Sequence, residues 1–394
     1  MKLQDLRKNY KKINGRTVFL RVDFNVPIIG SAVKEDFKLR QSLATINFLL
    51  SKKCKIILAS HLGQPKNGWE KKYSLAPVAK QLAKLLAVNI TFLDYKKYSD
   101  FKVIQKKIDQ GGRLFLLDNL RFFPGEENNS KQLGKNLASL AEVYVNDAFA
   151  VSHRANASVS AIRSFKLPAY RGLLLEAELE SLNKILHPKK PFVVVMGGAK
   201  ISTKIPIIKK LYDKASYILL GGALINNFYL AQGLNVGRSL IDRDGLKTIK
   251  KYLSSKKIIL PIDAIVKTSF DVKTKSKKDR ISIKKITEIE SNDCILDIGP
   301  ATILLFSKYI KKAQTIVWNG PLGMFEDDNF KKGTVIIARE IASRSGGRAF
   351  GVAGGGETVE ALNLSGMEKY MDWVSTGGGA MLSYLSGDKM PGLD

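Results

Sequence analysis

Four segments in the first half of this 394-residue chain place polar or cationic side chains directly after short apolar runs. LRVDFNVP (Leu20–Pro27) sets Arg21, Asp23 and Asn25 on one side of an extended segment, with Phe24 turned the other way. A carboxylate and an amide there suit the hydroxyls of a polyol-like acid. SHLGQP (Ser60–Pro65) offers His61 before a glycine turn. LDNLRF (Leu117–Phe122) and NDAFAVSHRANAS (Asn146–Ser158) each contribute one arginine, Arg121 and Arg154. The planar guanidinium fork matches phosphate and carboxylate. Any one of these, taken alone, is the ordinary polarity of a strand end. Four of them in one half argue for a cationic pocket that takes a small anion.

The second half puts glycines where the first puts polar side chains: Gly197-Gly198, Gly221-Gly222, Gly299-Pro300, Gly320-Pro321 and Gly354-Gly355-Gly356. Bare backbone there lets phosphates and a flat base approach closely. GGAKISTKI (Gly197–Ile205) adds Lys200 and Lys204 at i, i+4, a spacing that predicts one helix face near an anion-favouring N-terminus. The same pair would also suit an exposed helix surface. No GxxxxGK[ST] loop occurs anywhere in the chain. GGGET (Gly354–Thr358) reads as a phosphate-cradling turn into a helix, with Glu357 available to a Mg²⁺ that keeps most of its water. A nucleotide on the second half and a small anion on the first is the direct inference.

Parallel sheets position side chains in this way. Apolar runs of four to six residues, such as Thr17–Val22, Lys55–Ser60, Phe192–Met196, Ile295–Ile298 and Thr315–Trp318, predict strands buried on both faces. Helical patterns such as Leu75–Ala87 and Leu173–Leu186 lie between them. The alternation predicts an α/β fold, with ligands outside the carboxyl ends of the strands. The length predicts two domains of roughly 170–200 residues.

Composition narrows the classes further. Lys+Arg 64 against Asp+Glu 36 gives a net charge of +28. The excess is lysine scattered in pairs, without a basic stripe interleaved with aromatics, so solvated helix faces are expected and specific nucleic-acid recognition is not. Cys54 and Cys294 are the only cysteines, which predicts neither a disulfide framework nor a structural zinc site. The charged start MKLQDLRKNYKKINGR lacks an apolar signal core, and no run approaches a membrane span. A cytoplasmic monomer without membrane attachment is expected.

The motifs RVDFNVP, SHLG-P, LDNLRF, VNDAF, HRA-AS, GGAK---KI, DIGP, WNGP-G-FE, GGGET, STGGGA and the closing PGL stand in the order and spacing of the phosphoglycerate kinases, which the chain resembles from about residue 3 to its end. The resemblance implies two Rossmann-like domains, each a parallel β-sheet flanked by helices: residues 1–171, completed by a returning tail at 380–394, and residues 187–379. A long interdomain helix at 172–186 would join them. It implies phosphoryl transfer from 1,3-bisphosphoglycerate to ADP, giving 3-phosphoglycerate and ATP in glycolysis or, reversed, gluconeogenesis. The 3-phosphoglycerate side would comprise Arg21, Asp23, Phe24, Asn25, Lys38, His61, Leu62, Gly63, Gln64, Arg121 and Arg154. The Mg-ADP or Mg-ATP side would comprise Gly197, Gly198, Ala199, Lys200, Lys204, Gly221, Gly222, Leu296, Asn319, Pro321, Glu326, Gly354, Gly355, Gly356, Glu357 and Thr358, with Glu357 toward the metal. Lys38, Lys200, Arg121 and Arg154 would serve the transfer itself.

The carboxylate in this reaction is already ionised, so no general base is required; positioning and charge neutralisation do the work. Closure about the interdomain helix is expected, to align the two anions and exclude water. Three positions depart from the family pattern: Lys38 stands in place of an arginine, Gln64 in place of an arginine or another basic residue, and Glu357 in place of an aspartate. The second reading is a catalytically weakened member that keeps both ligand sites and acts as a binding protein.

Overall fold

The computed structural model describes residues 3–66, 68–268 and 280–394, and they divide into two compact units. The first holds residues 1–180 and 388–394, the second residues 181–387. In the first, seven strands form a parallel sheet in the order Gln4–Asp5, Ala169–Arg171, Val143–Asn146, Thr17–Arg21, Lys55–Ala59, Leu114–Leu117, Thr91–Leu93. The central strands are buried almost throughout, as helix cover on both faces requires. Helices Phe37–Ser51, Ala76–Leu86, Phe101–Asp109 and Lys131–Ser139 carry apolar stripes that pack on them. Asp100 and Ser130 cap two of these helices through their side chains.

The second unit has a six-stranded parallel sheet, ordered Ile258–Ile259, Tyr217–Leu220, Phe192–Met196, Thr315–Asn319, Phe350–Gly354, Trp373–Ser375. Beside it lies a three-stranded antiparallel sheet of Asp263–Thr268 between Arg280–Lys285 and Asp293–Ile298. This corrects the expectation that Ile295–Ile298 is one more doubly buried parallel strand. Its segment alternates, with Asp293 and Ile295 buried and Cys294 and Leu296 half-exposed, which is the pattern of a sheet with one covered face.

The long helix runs from Leu173 to Leu186. Its first turn is tied by Leu173 N to Thr45 Oγ1 (2.9 Å) and Leu175 N to Asp147 Oδ1 (3.1 Å). Gly378–Ser386 is a helix of the second unit, so only residues 388–394 return to the first, a shorter tail than the expected 380–394. Asn146 Nδ2 donates to Gly392 O at 3.0 Å, and Arg163 Nη1 to Pro391 O at 2.8 Å, which fastens that tail. Among the described residues, no helix is long and apolar enough to cross a membrane.

Candidate functional site

In the first unit, strand register assembles the site. Arg21 stands opposite Ala59 on one neighbouring strand and Asn146 on the other. The segments leaving those strands therefore emerge along one edge of the sheet. Asp23 is buried there, and its Oδ2 accepts from Lys38 Nζ at 2.7 Å. Lys38 comes from the first turn of helix Phe37–Ser51. His61 Nδ1 lies 3.4 Å from Arg21 Nη2 and 3.8 Å from Asp23 Oδ1.

Burial is the largest influence on His61 and drives it down. Arg21, Arg121 and Lys38 add to that, and together they outweigh Asp23 to hold it at about 3. At neutral pH the ring is uncharged, accepts at Nδ1 from Arg21 and carries its proton on Nε2. Burial would raise Asp23, but the Lys38 ammonium, the His61 ring (charged only below about 3) and the Asn25 amide outweigh it and hold the carboxyl at about 2. Because His61 is neutral through the physiological range, Lys38 is the cation that keeps Asp23 ionised.

Asn25 is exposed, and its Oδ1 accepts from Gly63 N at 2.9 Å, joining its segment to the SHLG turn that also carries exposed Gln64. Arg121 donates to Gly63 O through Nη1 and pairs with Glu127 at 3.0 Å through Nη2. Arg154 is exposed, and its Nε donates to His153 Nε2 at 3.2 Å. Lys38, Asn25, Arg121 and Arg154 thus border one edge with His61 and Asp23 behind them.

Three expected ligand contacts turn out to be scaffold. Phe24 is fully buried in the core, and its N–H donates to Ser60 Oγ (2.8 Å). Leu62 is also in the core, with its N–H and carbonyl both held by the Asn119 amide. Arg21, 1% exposed, spends its guanidinium on Ser158 Oγ (2.8 Å from Nε), the Val22 carbonyl and His61. Asp118 likewise accepts from Leu75 N (2.8 Å) and Asn119 N (2.9 Å), holding the start of a helix. Sequence reasoning missed Glu126, Glu127 and Ser158. Two carboxylates close after Arg121 were a signal, but Ser158 lies 32 residues from Glu126 and 137 from Arg21.

In the second unit the glycines do something other than expected. Gly197 N donates to Asn319 O (3.0 Å), Gly198 N to Pro321 O (2.9 Å), Gly221 N to Met196 O (2.8 Å) and Gly222 N to Leu322 O (2.8 Å). These amides are spent stitching three strand-end loops together. A Cβ on Gly197 would stand 1.8 Å from Pro321 O, and one on Gly320 2.3 Å from Gly197 O. Glycine is required here for backbone-to-backbone packing. The open amides belong to Gly356, Glu357 and Thr358, because the first helical bond of Gly356–Ser365 is Val359 N to Gly355 O. Gly355 is left-handed at φ +113°, and Gly356 has open space where a Cβ would sit. Thr358 Oγ1 accepts from Gly320 N at 2.8 Å.

The lysine pair does not share a helix face. Helix Ile205–Leu211 starts only after Lys204, with Pro206 in its first turn, and residues 201–204 form the preceding turn. Lys200 and Ala199 are exposed. Lys204 is half-buried and donates to Asn319 Oδ1. Burial pulls its ammonium down, and the Glu357 carboxylate opposes that. Lys204, Asn319 and the Gly356–Ser365 helix start therefore form one cationic, amide-rich corner. Glu326 is exposed, Pro321 is buried, and half-exposed Leu296 accepts from Met324 N (2.8 Å).

A family model described as phosphoglycerate kinase matches residues 8–388. A phosphoglycerate kinase of Pseudothermotoga lettingae is 42% identical over 97% of this chain and 96% of its own. The cytosolic phosphoglycerate kinase 3 of Arabidopsis thaliana is 39% identical, over 97% and 95%. The solved structure of phosphoglycerate kinase from Coxiella burnetii superposes with a TM-score of 0.82 at 35% identity, covering 97% of this chain and 96% of that one. That from Pyrococcus horikoshii gives 0.83 at 28% identity, over 99% and 98%. The edge-lined cations of the first unit, the stitched glycine loops of the second and near-complete coverage at this identity lead to one assignment: the chain belongs to the phosphoglycerate kinase family.

Proposed function

We propose that this protein is a phosphoglycerate kinase that transfers the acyl phosphoryl of 1,3-bisphosphoglycerate to ADP, with 3-phosphoglycerate and ATP as products, and runs the reverse when ATP is in excess. The carboxylate–phosphorus bond breaks while the β-phosphate oxygen of ADP bonds to phosphorus. The observation that carries the reading is Lys38, Arg121 and Arg154 along one sheet edge around a neutral His61 and an ionised Asp23. Cations there match the phosphate and carboxylate of 3-phosphoglycerate, while Asn25 and the Nε2 proton of His61 suit its hydroxyl and oxygens. Lys38 keeps a positive charge where the family pattern has an arginine, so nothing at this position favours a binding-only protein.

The nucleotide phosphates would lie on the Gly356–Thr358 amides, with Lys204 beside them and exposed Lys200 reaching the transferring group. Glu357 in that first turn is a hard oxygen ligand beside the phosphate position, which fits a magnesium ion delivered on the nucleotide. Such an ion, when bound, neutralises charge on the phosphate oxygens. Charge stabilisation and alignment without a general base are what these side chains supply. In-line transfer further requires hinge motion about Leu173–Leu186, in a cytoplasmic, monomeric protein. A coupled assay of ATP formation from ADP and 1,3-bisphosphoglycerate, with and without Mg²⁺, tests the proposal. No turnover above the non-enzymatic rate would overturn it.

A further inference from the structure

Glu126 follows LRFFPG and is fully buried, an expensive place for a carboxylate unless it is bonded on every side. Burial pushes its carboxyl up, while Arg21 and two bonds from Ser158 draw it back down. Its Oε1 accepts from Ser158 Oγ at 2.6 Å and its Oε2 from Ser158 N at 3.0 Å. Its own carbonyl accepts from Ala157 N at 2.8 Å and Asn156 Nδ2 at 3.3 Å. One residue therefore clamps the 156–158 segment that immediately follows Arg154. Ser158 Oγ gives its proton to Glu126, so its lone pairs face Arg21 Nε, which donates at 2.8 Å. Arg21 in turn donates toward His61 Nδ1, which fixes the tautomer of the ring that faces Asp23. The next residue, Glu127, pairs with Arg121.

We infer that Glu126 is a positioning residue for the anion site: through Ser158 it sets Arg21 and the tautomer of His61, and it anchors the loop presenting Arg154. The inference rests on the kinase reading and adds a buried relay, Glu126 to Ser158 to Arg21 to His61, whose first three members are all at most 2% exposed. Its hydrogen bonds have a fixed direction: the hydroxyl must donate one way and accept the other. Alanine at 158 breaks both bonds, and threonine restores both.

The full-length wild type is assayed first with 3-phosphoglycerate and Mg-ATP. Activity there tests the kinase reading by itself, before any variant is considered. Ser158→Ala and Glu126→Gln are then expected to raise KM for 3-phosphoglycerate about tenfold, the scale of one lost hydrogen bond to a charged group. KM for Mg-ATP should stay within twofold. Ser158→Thr should return KM for 3-phosphoglycerate to near the wild-type value. The ring nitrogen shifts of His61, followed by NMR, should report the Nε2-protonated tautomer without titration between pH 5 and 8 in wild type and should move toward a tautomer mixture in Ser158→Ala. If Ser158→Ala lowers Tm but leaves KM for 3-phosphoglycerate within twofold and His61 silent, the clamp is packing alone and the inference fails. If Glu126→Gln does not fold, Ser158→Ala and Ser158→Thr decide the matter, since neither disturbs the Glu126 carbonyl bonds.

Discussion

Replacing Lys38 with methionine isolates the ion pair on which the anion site is built. Asp23 is 6% exposed, and the Lys38 side chain 24% exposed. With Lys38 present, the Asp23 carboxyl is held at about 2 against an ordinary 3.8. That difference corresponds to about 2–3 kcal/mol of stability at neutral pH. The folded pKa is depressed, so this contribution is present above pH 4 and is lost as pH falls from 4 toward 2. Without Lys38, burial is the largest influence remaining, and it pushes the carboxyl up against the weaker pull of His61 and the Asn25 amide. A raised folded pKa reverses the sign: the variant loses stability as pH rises above 4. The deficit of Lys38→Met relative to wild type should therefore already be about 2 kcal/mol at pH 4, where wild type holds nearly its full contribution, and should grow further as pH rises to 7.5. Urea unfolding of both proteins from pH 4 to pH 7.5 measures it. Other buried carboxyls titrate in both proteins and cancel in the difference. A deficit that is constant across that range would refute the argument, because it would mean lost packing and not an unpaired buried charge.

Further outcomes follow from neighbouring residues. Lys38→Arg should raise kcat with little change in either KM, because a fork engages several transition-state oxygens at once. Arg40→Ala should leave kcat within twofold, since the Arg40 guanidinium is exposed and bound to Asp36 at 2.7 and 3.0 Å; a severe loss would mean Arg40 has taken the catalytic place. Steady-state kinetics should show Lys200→Ala lowering kcat by about 10²-fold and Lys204→Ala mainly raising KM for nucleotide. Turnover within a factor of two for both would leave them as a solvated surface pair. Asp297 accepts from Gly333 N (2.7 Å) and Ile298 N (2.9 Å), yet burial raises it to about 7. Its contribution is full below pH 4 and lost as pH rises through 7. Wild-type stability relative to Asp297→Asn should therefore fall by about 1 kcal/mol per unit between pH 5 and 6.5, and a flat difference in denaturant melts would count against it.

The sequence by itself determined the elements and their order. Apolar runs such as Phe192–Met196 and Tyr217–Leu220 were legible as strands because burial on both faces is written into consecutive residues. The helix Leu173–Leu186 was legible because its periodicity is local. So were Asp23, His61, Arg121 and Arg154, since in parallel sheets polar residues just past strand ends converge on one edge. What each side chain does there depended on partners that local pattern does not encode. Arg21 was read as a ligand contact, yet Ser158, 137 residues away, takes its Nε and turns it into support for His61. The spacing of the glycine pairs at 197 and 221 suggests open amides, but the loop at 319–322 takes three of them and the Met196 carbonyl takes that of Gly221. Lys200 and Lys204 have helical spacing, but Pro206 and the turn at 201–204 start the helix too late for them to share it. Alternation along Asp293–Ile298 marks one covered face, and only strand pairing makes it antiparallel, against Asp263–Thr268. Spacing along the chain decides which way a side chain points; the partner it meets is set by register and packing between segments far apart in sequence.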